Sequence, residues 1–549
     1  MSAPAKVSGD ASAAARLSIT PVWARRVAWL LLALVGVFIV YSFGQHGISN
    51  DEEVQHVYGR LLVDFYGSGF ADRTAFEYKN LYLYGGLFDL IAATLEKVVP
   101  MNVWDLRHLL SAGFGLLGLV GTWLLARLLA GEWAGLLALL LLSISGAWSG
   151  AMFTHTKDVP FATTMVWALY FTTRFAATLP RFRASDLVGL GVAIGCAFGL
   201  RVGAVFAVFY LGCTVLAGAW LHGTDLRSRL AVLGRAVLAL LPAAVLAFAL
   251  MGFFWPWAVL STGNLVKAMT TFSHFSFDLY TIVNGVVMKN GDVPGTYLLT
   301  YLLIRLPELF LLGVALALLG GLRALPDTIG TVEGRERALR WLPAALAALF
   351  PLAYTLLAAP PLYNGIRHFT FLLPPLAVLG GAGLYGAWQH AARWPRARLA
   401  AAGACVLLVA GQVVTLARLH PYEYIAYNGF IGGVRGSEGR WEMDYWGDSL
   451  RPAAALLNAY VAAEGPAPRT YTVAVCAESV QGSAWLAPGL EVTRDWRVAD
   501  FFLSPTQMDC HTAVKGRIIG EIAREGVTLA VVRDRRMLEG ADRDPRIPK

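Results

Sequence analysis

Charged residues are scarce in this sequence of 549 residues. Asp, Glu, Lys and Arg together make up only 15% of it, whereas hydrophobic residues make up 56%. A soluble domain carries roughly 25% charged residues. The scarcity of charge, together with a mean hydropathy of +0.55, excludes an ordinary soluble protein and predicts an integral membrane protein.

Recognisable nucleotide and zinc motifs are also absent from the sequence. It contains no P-loop, no G-x-G-x-x-G fingerprint and no Cys/His spacing typical of a zinc site, so the chemistry that those motifs carry is not indicated. No internal repeat is visible either, although many transporters are built from such repeats.

Long apolar runs, in contrast, are abundant. Because the hydrocarbon core of a bilayer is about 30 Å thick, a spanning helix needs about 20 mostly apolar residues. We therefore predict a polytopic α-helical membrane protein with about eleven transmembrane helices. The apolar runs centre on residues 25–44, 107–129, 133–151, 160–178, 186–200, 203–221, 233–257, 298–322, 341–358, 369–389 and 398–417.

Lys and Arg are unevenly distributed over the loops between these runs. The N-terminal segment and every second loop after it contain many Lys and Arg residues, whereas the short loops on the opposite side of the membrane contain few. Since positively charged loops stay in the cytoplasm, we predict a cytoplasmic N-terminus and an outward C-terminus. The net charge of +8 is explained by this bias, so a nucleic-acid partner is not expected.

The chain divides into three predicted parts. Residues 1–24, rich in Ala and Ser, are expected to form a disordered cytoplasmic N-terminus. Residues 25–418 form the membrane domain, with two long outer loops at 45–106 and 258–297. Hydropathy falls from residue 419 onward, which predicts a periplasmic soluble domain over 419–549.

This last domain is predicted to be small and of the α/β class. The β-branched runs 471–478 and 526–534 are typical of strands, and residues 449–465 have helical spacing with a terminal Gly. Only five cysteines occur in the chain. Two of them, Cys476 and Cys510, lie in this outward domain, where an oxidising environment permits a disulfide between them.

Three consecutive acids, Asp51, Glu52 and Glu53, follow the first apolar run. One interpretation is structural, since Ser49 or Asn50 followed by Glu three residues on is a capping box. The other is that the cap holds the acids in a fixed first turn. On that interpretation Glu53 takes part in the cap, while Asp51 and Glu52 face a site.

Cations occur at three further places in the predicted outer region. Lys157 lies in FTHTKDVPFA, which is either a tight capped loop or a lipid-phosphate contact. Arg367 and His368 stand at the mouth of a span, where Arg either extends to the headgroups or binds phosphate. Arg305 either pairs with Glu308 at i,i+3 or marks a phosphate pocket.

Acids and cations together suit one reaction type at a membrane surface. A carboxylate can deprotonate an acceptor hydroxyl, while cations stabilise a departing lipid phosphate. A transporter or flippase, and an enzyme of the O-antigen ligase or polymerase type with a pyrophosphate-linked donor, are the alternatives.

Several motifs carry a family resemblance over roughly residues 25–420 and into the outward domain. They are DEEVQ, HTKDVPFA, RLPELFL, NGIRHFTFLLPPLA, HPYEYIAYNGFIGG and DYWGDSL. In this order and placement they resemble the bacterial GT-C membrane glycosyltransferases, relatives of the protein O-mannosyltransferases and of the lipid A aminoarabinose transferase. The resemblance implies a GT-C-like fold.

The resemblance also implies an activity and its partners. We expect an inverting hexosyl- or pentosyltransferase that takes a sugar from a polyprenyl-phosphate donor. The acceptor hydroxyl would belong to a glycan, lipid or protein at the periplasmic face of the bacterial inner membrane. Membrane lipids would surround this multi-pass protein. Some members of the family use a divalent metal ion and others do not, and no ligand set in this sequence decides between them.

Roles for individual residues follow from the same resemblance. The family's acid in the first outer loop matches Asp51, followed by Glu52, as the catalytic carboxylate. The expected contacts of the lipid phosphate are Lys157, Arg305, Arg367 and His368. The expected acceptor or loop contacts are His155, Asp158, Tyr363 and Tyr422.

Overall fold

The computed structural model describes residues 21–273, 279–466 and 468–545 of the chain. Residues 1–20 of the predicted disordered N-terminus lie outside the described residues. The last four residues of that predicted segment, 21–24, belong to the first helix.

Most of the described chain is helical. The helices are α1 Pro21–Ser42, α2 Glu52–Gly67, α3 Leu87–Leu95, α4 Val103–Ala130, α5 Glu132–Ser143, α6 Gly146–Ser149, α7 Ala151–Thr154, α8 Asp158–Thr178, α9 Ala184–Phe198, α10 Val205–His222, α11 Leu226–Phe254, α12 Pro256–Leu260, α13 Asn264–Ser273, α14 Tyr297–Arg305, α15 Glu308–Gly330, α16 Val332–Ala358, α17 Leu373–His390, α18 Pro395–Leu419, α19 Gly433–Ser437, α20 Leu450–Ala463 and α21 Ser479–Ser483. The strands are β1 Tyr280–Val283, β2 Val286–Lys289, β3 Tyr471–Val475, β4 Leu490–Thr493, β5 Phe501–Pro505, β6 Arg517–Arg524 and β7 Val527–Asp534.

The predicted count of eleven spans is not confirmed. Within the described residues, eight helices are long and apolar enough to cross a membrane, or nine if α5 and the α6–α7 segment, bent by 69°, form one broken span. The helices α8 and α9 match predicted runs but are not among them. Helix α9 has only 15 residues, and the apolar part of α8 is interrupted by Arg174 and several threonines.

One predicted span, 298–322, is broken in the structure. Helix α14 ends at Arg305 and α15 begins at Glu308. Pro307 lies between them and has no backbone N–H to continue the helical hydrogen bonds. The break places Arg305 and Glu308 on two separate helices, and this changes the partners of both.

Close helix contacts in the bundle depend on small residues. Helices α15 and α17 approach each other at Gly313 and Gly383, where an added Cβ on Gly383 would lie 2.2 Å from the Gly313 carbonyl oxygen. Small residues that let backbones meet are the usual packing device inside a membrane, where apolar side chains gain little by leaving the lipid.

The C-terminal part contains a five-stranded sheet in the order β4-β3-β5-β7-β6. Strands β3, β4 and β5 are parallel, and β7 is antiparallel to both β5 and β6. Helix α20 packs on the sheet through Leu450 and Leu457. A disulfide joins Cys476, directly after β3, to Cys510. This arrangement is the α/β domain expected from the sequence.

The segment 420–449 joins the bundle to this sheet. Its aromatic residues, among them Tyr424, Tyr427 and Trp446, are buried. Asp444 organises the end of the segment, since its carboxylate accepts hydrogen bonds from the backbone N–H groups of Gly447, Asp448 and Ser449. The segment therefore fixes Trp446 against the loop regions of the bundle.

Candidate active site

A cavity of about 550 Å³ lies where α2, the N-terminus of α8 and the loop before α17 meet. Its lining is partly polar and partly apolar, and the polar part is called the polar end below because several of its residues are linked by contacts, such as that between Arg367 and Asp51. The polar end is lined by Asp51, Gln55, Asn80, Tyr84, Lys157, Arg201, Tyr363, Arg367 and His368. The apolar walls are formed by side chains that include Phe161, Val202, Val205, Phe206, Leu362, Phe369 and Phe371. The cavity therefore suits a ligand with an anionic head and an apolar tail.

Asp51 stands at the start of α2, and its side chain is 43% exposed. Its Oδ2 accepts a hydrogen bond of 2.7 Å from Nη2 of Arg367. In the described part of the chain no protein group donates to Oδ1, so this oxygen can accept a proton from a ligand hydroxyl. Arg367 itself is buried and lies with its guanidinium 4.2 Å from the ring centre of Trp446.

Asp158 holds two cations side by side. One of its carboxylate oxygens accepts a hydrogen bond from Nη2 of Arg201, and the other lies 3.7 Å from Nε of Arg367. The pair of guanidinium groups is thereby kept on one wall of the cavity. Two positive groups at a fixed spacing match the oxygen atoms of a phosphate.

Lys157 is the third cation at this end. Its side chain is buried, and Nζ lies 4.3 Å from the ring centre of Tyr84. Among the described residues no carboxylate lies within ion-pair distance of it. Burial lowers the pKa of Lys157 to about 8, although the nearby Asp89 and Asp51 oppose the shift. The ammonium group is thus available to an anionic ligand and is only partly compensated by the protein.

Glu52, predicted to face the site beside Asp51, does not do so. It is fully buried, its Oε2 accepts the backbone N–H of Ser49 at 2.7 Å, and it lies 3.3 Å from Nε2 of His108. The contact with Ser49 resembles one half of a capping box, but the other half is missing, since α2 starts after Asp51 without a side-chain cap and the Ser49 hydroxyl has no partner among the described residues. The predicted role of Glu53 in a cap is thus not seen. Asp51 and Glu52 diverge because successive helical residues point in directions about 100° apart.

Arg305 also lies away from the cavity, contrary to the prediction. It donates to the carbonyl oxygens of Tyr424 and Ala426 at 2.6 and 3.2 Å, and its guanidinium covers the ring of Tyr427. The alternative ion pair with Glu308 is not formed either, since Glu308 accepts the backbone N–H of Gly429. Both charged residues hold the segment 420–449 on the bundle.

The other predicted contacts divide into two groups. His368 and Tyr363 line the cavity, with their rings 4.7 Å apart, as the prediction requires. His155 and Tyr422 do not line it. His155 is buried and its Nε2 lies 2.7 Å from the Tyr445 hydroxyl, and burial holds the pKa of His155 well below its usual range. Tyr422 is buried under Arg524.

Sequence reasoning missed four residues of the polar end, namely Gln55, Asn80, Tyr84 and Arg201. For Arg201 a signal existed, because it is one of the few cations in the short outer loops. Gln55 could have been found from its spacing, since it follows Asp51 by four residues on a helix and such residues share a face. Nothing in the sequence distinguished Asn80 or Tyr84.

The described residues do not form a metal centre. Within the described ranges, no three His, Cys, Asp or Glu side chains are grouped so that they could hold a metal ion. At the polar end of the cavity cations outnumber carboxylates. We therefore derive no chemical step that involves a metal.

Comparison with known proteins gives one sequence match. The family described as dolichyl-phosphate-mannose-protein mannosyltransferase matches residues 87–257, a range that includes Lys157 and Arg201. This match confirms the predicted resemblance to the protein O-mannosyltransferases. No curated protein sequence matches the chain significantly.

Two solved structures are similar to the chain over most of its length. ArnT from Cupriavidus metallidurans bound to undecaprenyl phosphate is 16% identical, with 92% of this chain and 97% of that chain covered and a TM-score of 0.45. The oligosaccharyltransferase AglB from Archaeoglobus fulgidus, in complex with an inhibitory peptide and a dolichol-phosphate, is 13% identical. There, 89% of this chain and 70% of that chain are covered, with a TM-score of 0.47.

Proposed function

We propose that this protein is an inverting membrane glycosyltransferase that moves a sugar from a polyprenyl-phosphate donor to an acceptor hydroxyl. The observation that carries the proposal is the cavity, in which three cations and the Asp51 carboxylate share one end and apolar side chains form the rest. The match to the mannosyltransferase family supports it. The reaction would take place at the periplasmic face of a bacterial inner membrane.

The donor fits the cavity by its chemistry. The polyprenyl chain would lie against the apolar wall around Phe206 and Phe371, where burial of hydrocarbon is favourable by about 25 cal/mol per Å². Its phosphate would bind Lys157, Arg201 and Arg367. Positive groups that are already fixed in place need no reorganisation when charge develops on the departing phosphate.

The chemical step assigns a role to Asp51. The acceptor oxygen attacks the anomeric carbon on the face opposite the phosphate, and the bond from that carbon to the phosphate oxygen breaks. The acceptor proton passes to Oδ1 of Asp51, and the polyprenyl phosphate leaves with the electron pair. Arg367 holds the other oxygen of Asp51 and so orients the base.

Transfer by the purified protein in liposomes tests the proposal. A panel of undecaprenyl-phosphate sugars and undecaprenyl-pyrophosphate sugars, each labelled in the sugar, is offered together with membrane extracts that contain acceptors. We expect transfer from at least one donor, with release of undecaprenyl phosphate. Lys157→Met should abolish it, whereas Lys97→Met, which removes an exposed lysine outside the cavity, should not. Transfer only from a pyrophosphate-linked donor would point to a ligase or polymerase.

A further inference from the structure

Gln55 is a buried polar side chain that the reaction as described does not use. It lies on α2, one turn after Asp51, and its backbone N–H donates to the Asp51 carbonyl at 3.2 Å. Its side chain is 3% exposed and lines the cavity. Residues four apart share a helix face, and both Gln55 and Asp51 line the cavity.

Two protein groups fix the orientation of the Gln55 amide. Its Oε1 accepts hydrogen bonds from Nη2 of Arg107 at 3.3 Å and from the Thr156 hydroxyl at 2.5 Å. A guanidinium group only donates hydrogen bonds, so the amide atom next to Arg107 must be the oxygen. Arg107 is itself fully buried and held by Asp89 at 3.0 Å.

This orientation leaves the amide nitrogen available to a ligand. Nowhere in the described ranges does a protein group accept a hydrogen bond from Nε2 of Gln55. Gln55 lines the cavity, and its Nε2 is not one of the fully inaccessible polar atoms that lack a partner. The cavity is therefore where this N–H donor can meet a water molecule or a ligand oxygen.

We infer that Gln55 binds an oxygen atom of the donor sugar and thereby contributes to sugar specificity. The inference rests on the proposed function. Gln55 contacts Thr156, and the next residue, Lys157, is where the phosphate would bind. The sugar is attached directly to that phosphate, so it would lie near Gln55. Because Nε2 only donates, it selects a hydroxyl, ring or carboxylate oxygen at this position and disfavours a protonated amine.

Two substitutions separate binding of the sugar from a merely structural role. Gln55→Glu keeps the oxygen that Arg107 and Thr156 require but removes the donor. Gln55→Met removes both and adds no charge. Gln412→Met is the control, since Gln412 donates to the Ile144 carbonyl in another part of the bundle and does not line the cavity. Thermal unfolding of each variant reports whether the fold is retained.

The measurement compares the affinities of each protein for undecaprenyl phosphate and for undecaprenyl phosphate that carries each sugar of the donor panel, including the one that is transferred. Wild type and Gln412→Met should bind one of the sugar-bearing lipids about 3- to 10-fold more tightly than the bare lipid, the effect of one hydrogen bond. Gln55→Met should lose this preference while its affinity for the bare lipid stays the same. Gln55→Glu should lose it as well.

The possible failures are distinguishable. If Gln55→Met keeps the wild-type preference, or if wild type shows none, Gln55 does not bind the sugar and only this inference is overturned. If Gln55→Met unfolds, Gln55→Glu decides, because it retains the buried contacts. If wild type binds none of the lipids, the proposed function itself is wrong.

Discussion

Replacement of Asp51 by Asn is the sharpest perturbation of the proposed reaction, because it removes the proton acceptor and little else. General-base catalysis contributes about 10²- to 10⁴-fold to a rate, or about 3–5 kcal/mol at 1.36 kcal/mol per tenfold. We therefore expect kcat for sugar transfer to fall by about that factor, while the KM for the donor changes little.

The structure also indicates that the fold tolerates this change. The Asp51 side chain is 43% exposed and makes one hydrogen bond, to Arg367. Asn can keep this hydrogen bond through its amide oxygen, so only the negative charge is lost. Arg367 would still lie 3.7 Å from Asp158, so its buried charge keeps a partner. Thermal unfolding of Asp51→Asn should resemble that of wild type.

The assay is release of undecaprenyl phosphate in single-turnover and steady-state experiments with purified protein. Glu53→Gln serves as the matched control, since Glu53 belongs to the same helical turn but does not line the cavity. Its rate should stay within about twofold of wild type. Wild-type turnover by Asp51→Asn, or an equal loss in Glu53→Gln, would refute the role of Asp51.

Three further results are expected. The phosphate requires the charged form of Lys157, whose pKa is lowered to about 8, so kcat/KM should fall as the pH rises through about 8. In the Lys157→Arg variant this fall should occur at higher pH. A pH–rate profile identical to that of wild type would contradict the assignment. Replacement of Cys476 and Cys510 by Ser opens a loop of 34 residues and should lower the unfolding free energy of the C-terminal domain by about 3–4 kcal/mol. Urea denaturation measures this change, and equal urea midpoints for the variant and wild type would contradict it. Arg305→Met removes the hydrogen-bond donor to the Tyr424 carbonyl, so it should lower the thermal stability and leave the KM for the sugar donor unchanged. An altered KM would indicate that Arg305 contacts the phosphate.

The sequence predicted the helical bundle and its soluble appendage well, because both depend on local composition. Each apolar run coincides with one or more helices, and the helix at 449–465 appears as Leu450–Ala463. The break before Glu308 was overlooked, although Pro307 marks it. Hydropathy averaged over a window does not register the loss of one backbone donor.

The site was harder to predict, because its residues come from distant parts of the chain. Asp51 and Arg367 are 316 residues apart in sequence, and both were singled out from chemistry and family resemblance. Glu52 and Arg305 lie away from the cavity, and the backbone groups that hold them, the Ser49 N–H and two carbonyls, leave no trace in side-chain patterns. Arg201 reaches the site only through the packing of α8 on α9.

The central claim is that the cavity binds a polyprenyl monophosphate sugar and that its three cations hold the phosphate. The most direct measurement is mass spectrometry of the lipids retained by the purified wild-type protein and by Lys157→Met, after both are incubated with equimolar undecaprenyl phosphate and undecaprenyl pyrophosphate. The account predicts that wild type retains the monophosphate and that Lys157→Met does not. Equal retention by the two proteins, or preferential retention of the pyrophosphate by wild type, would contradict it.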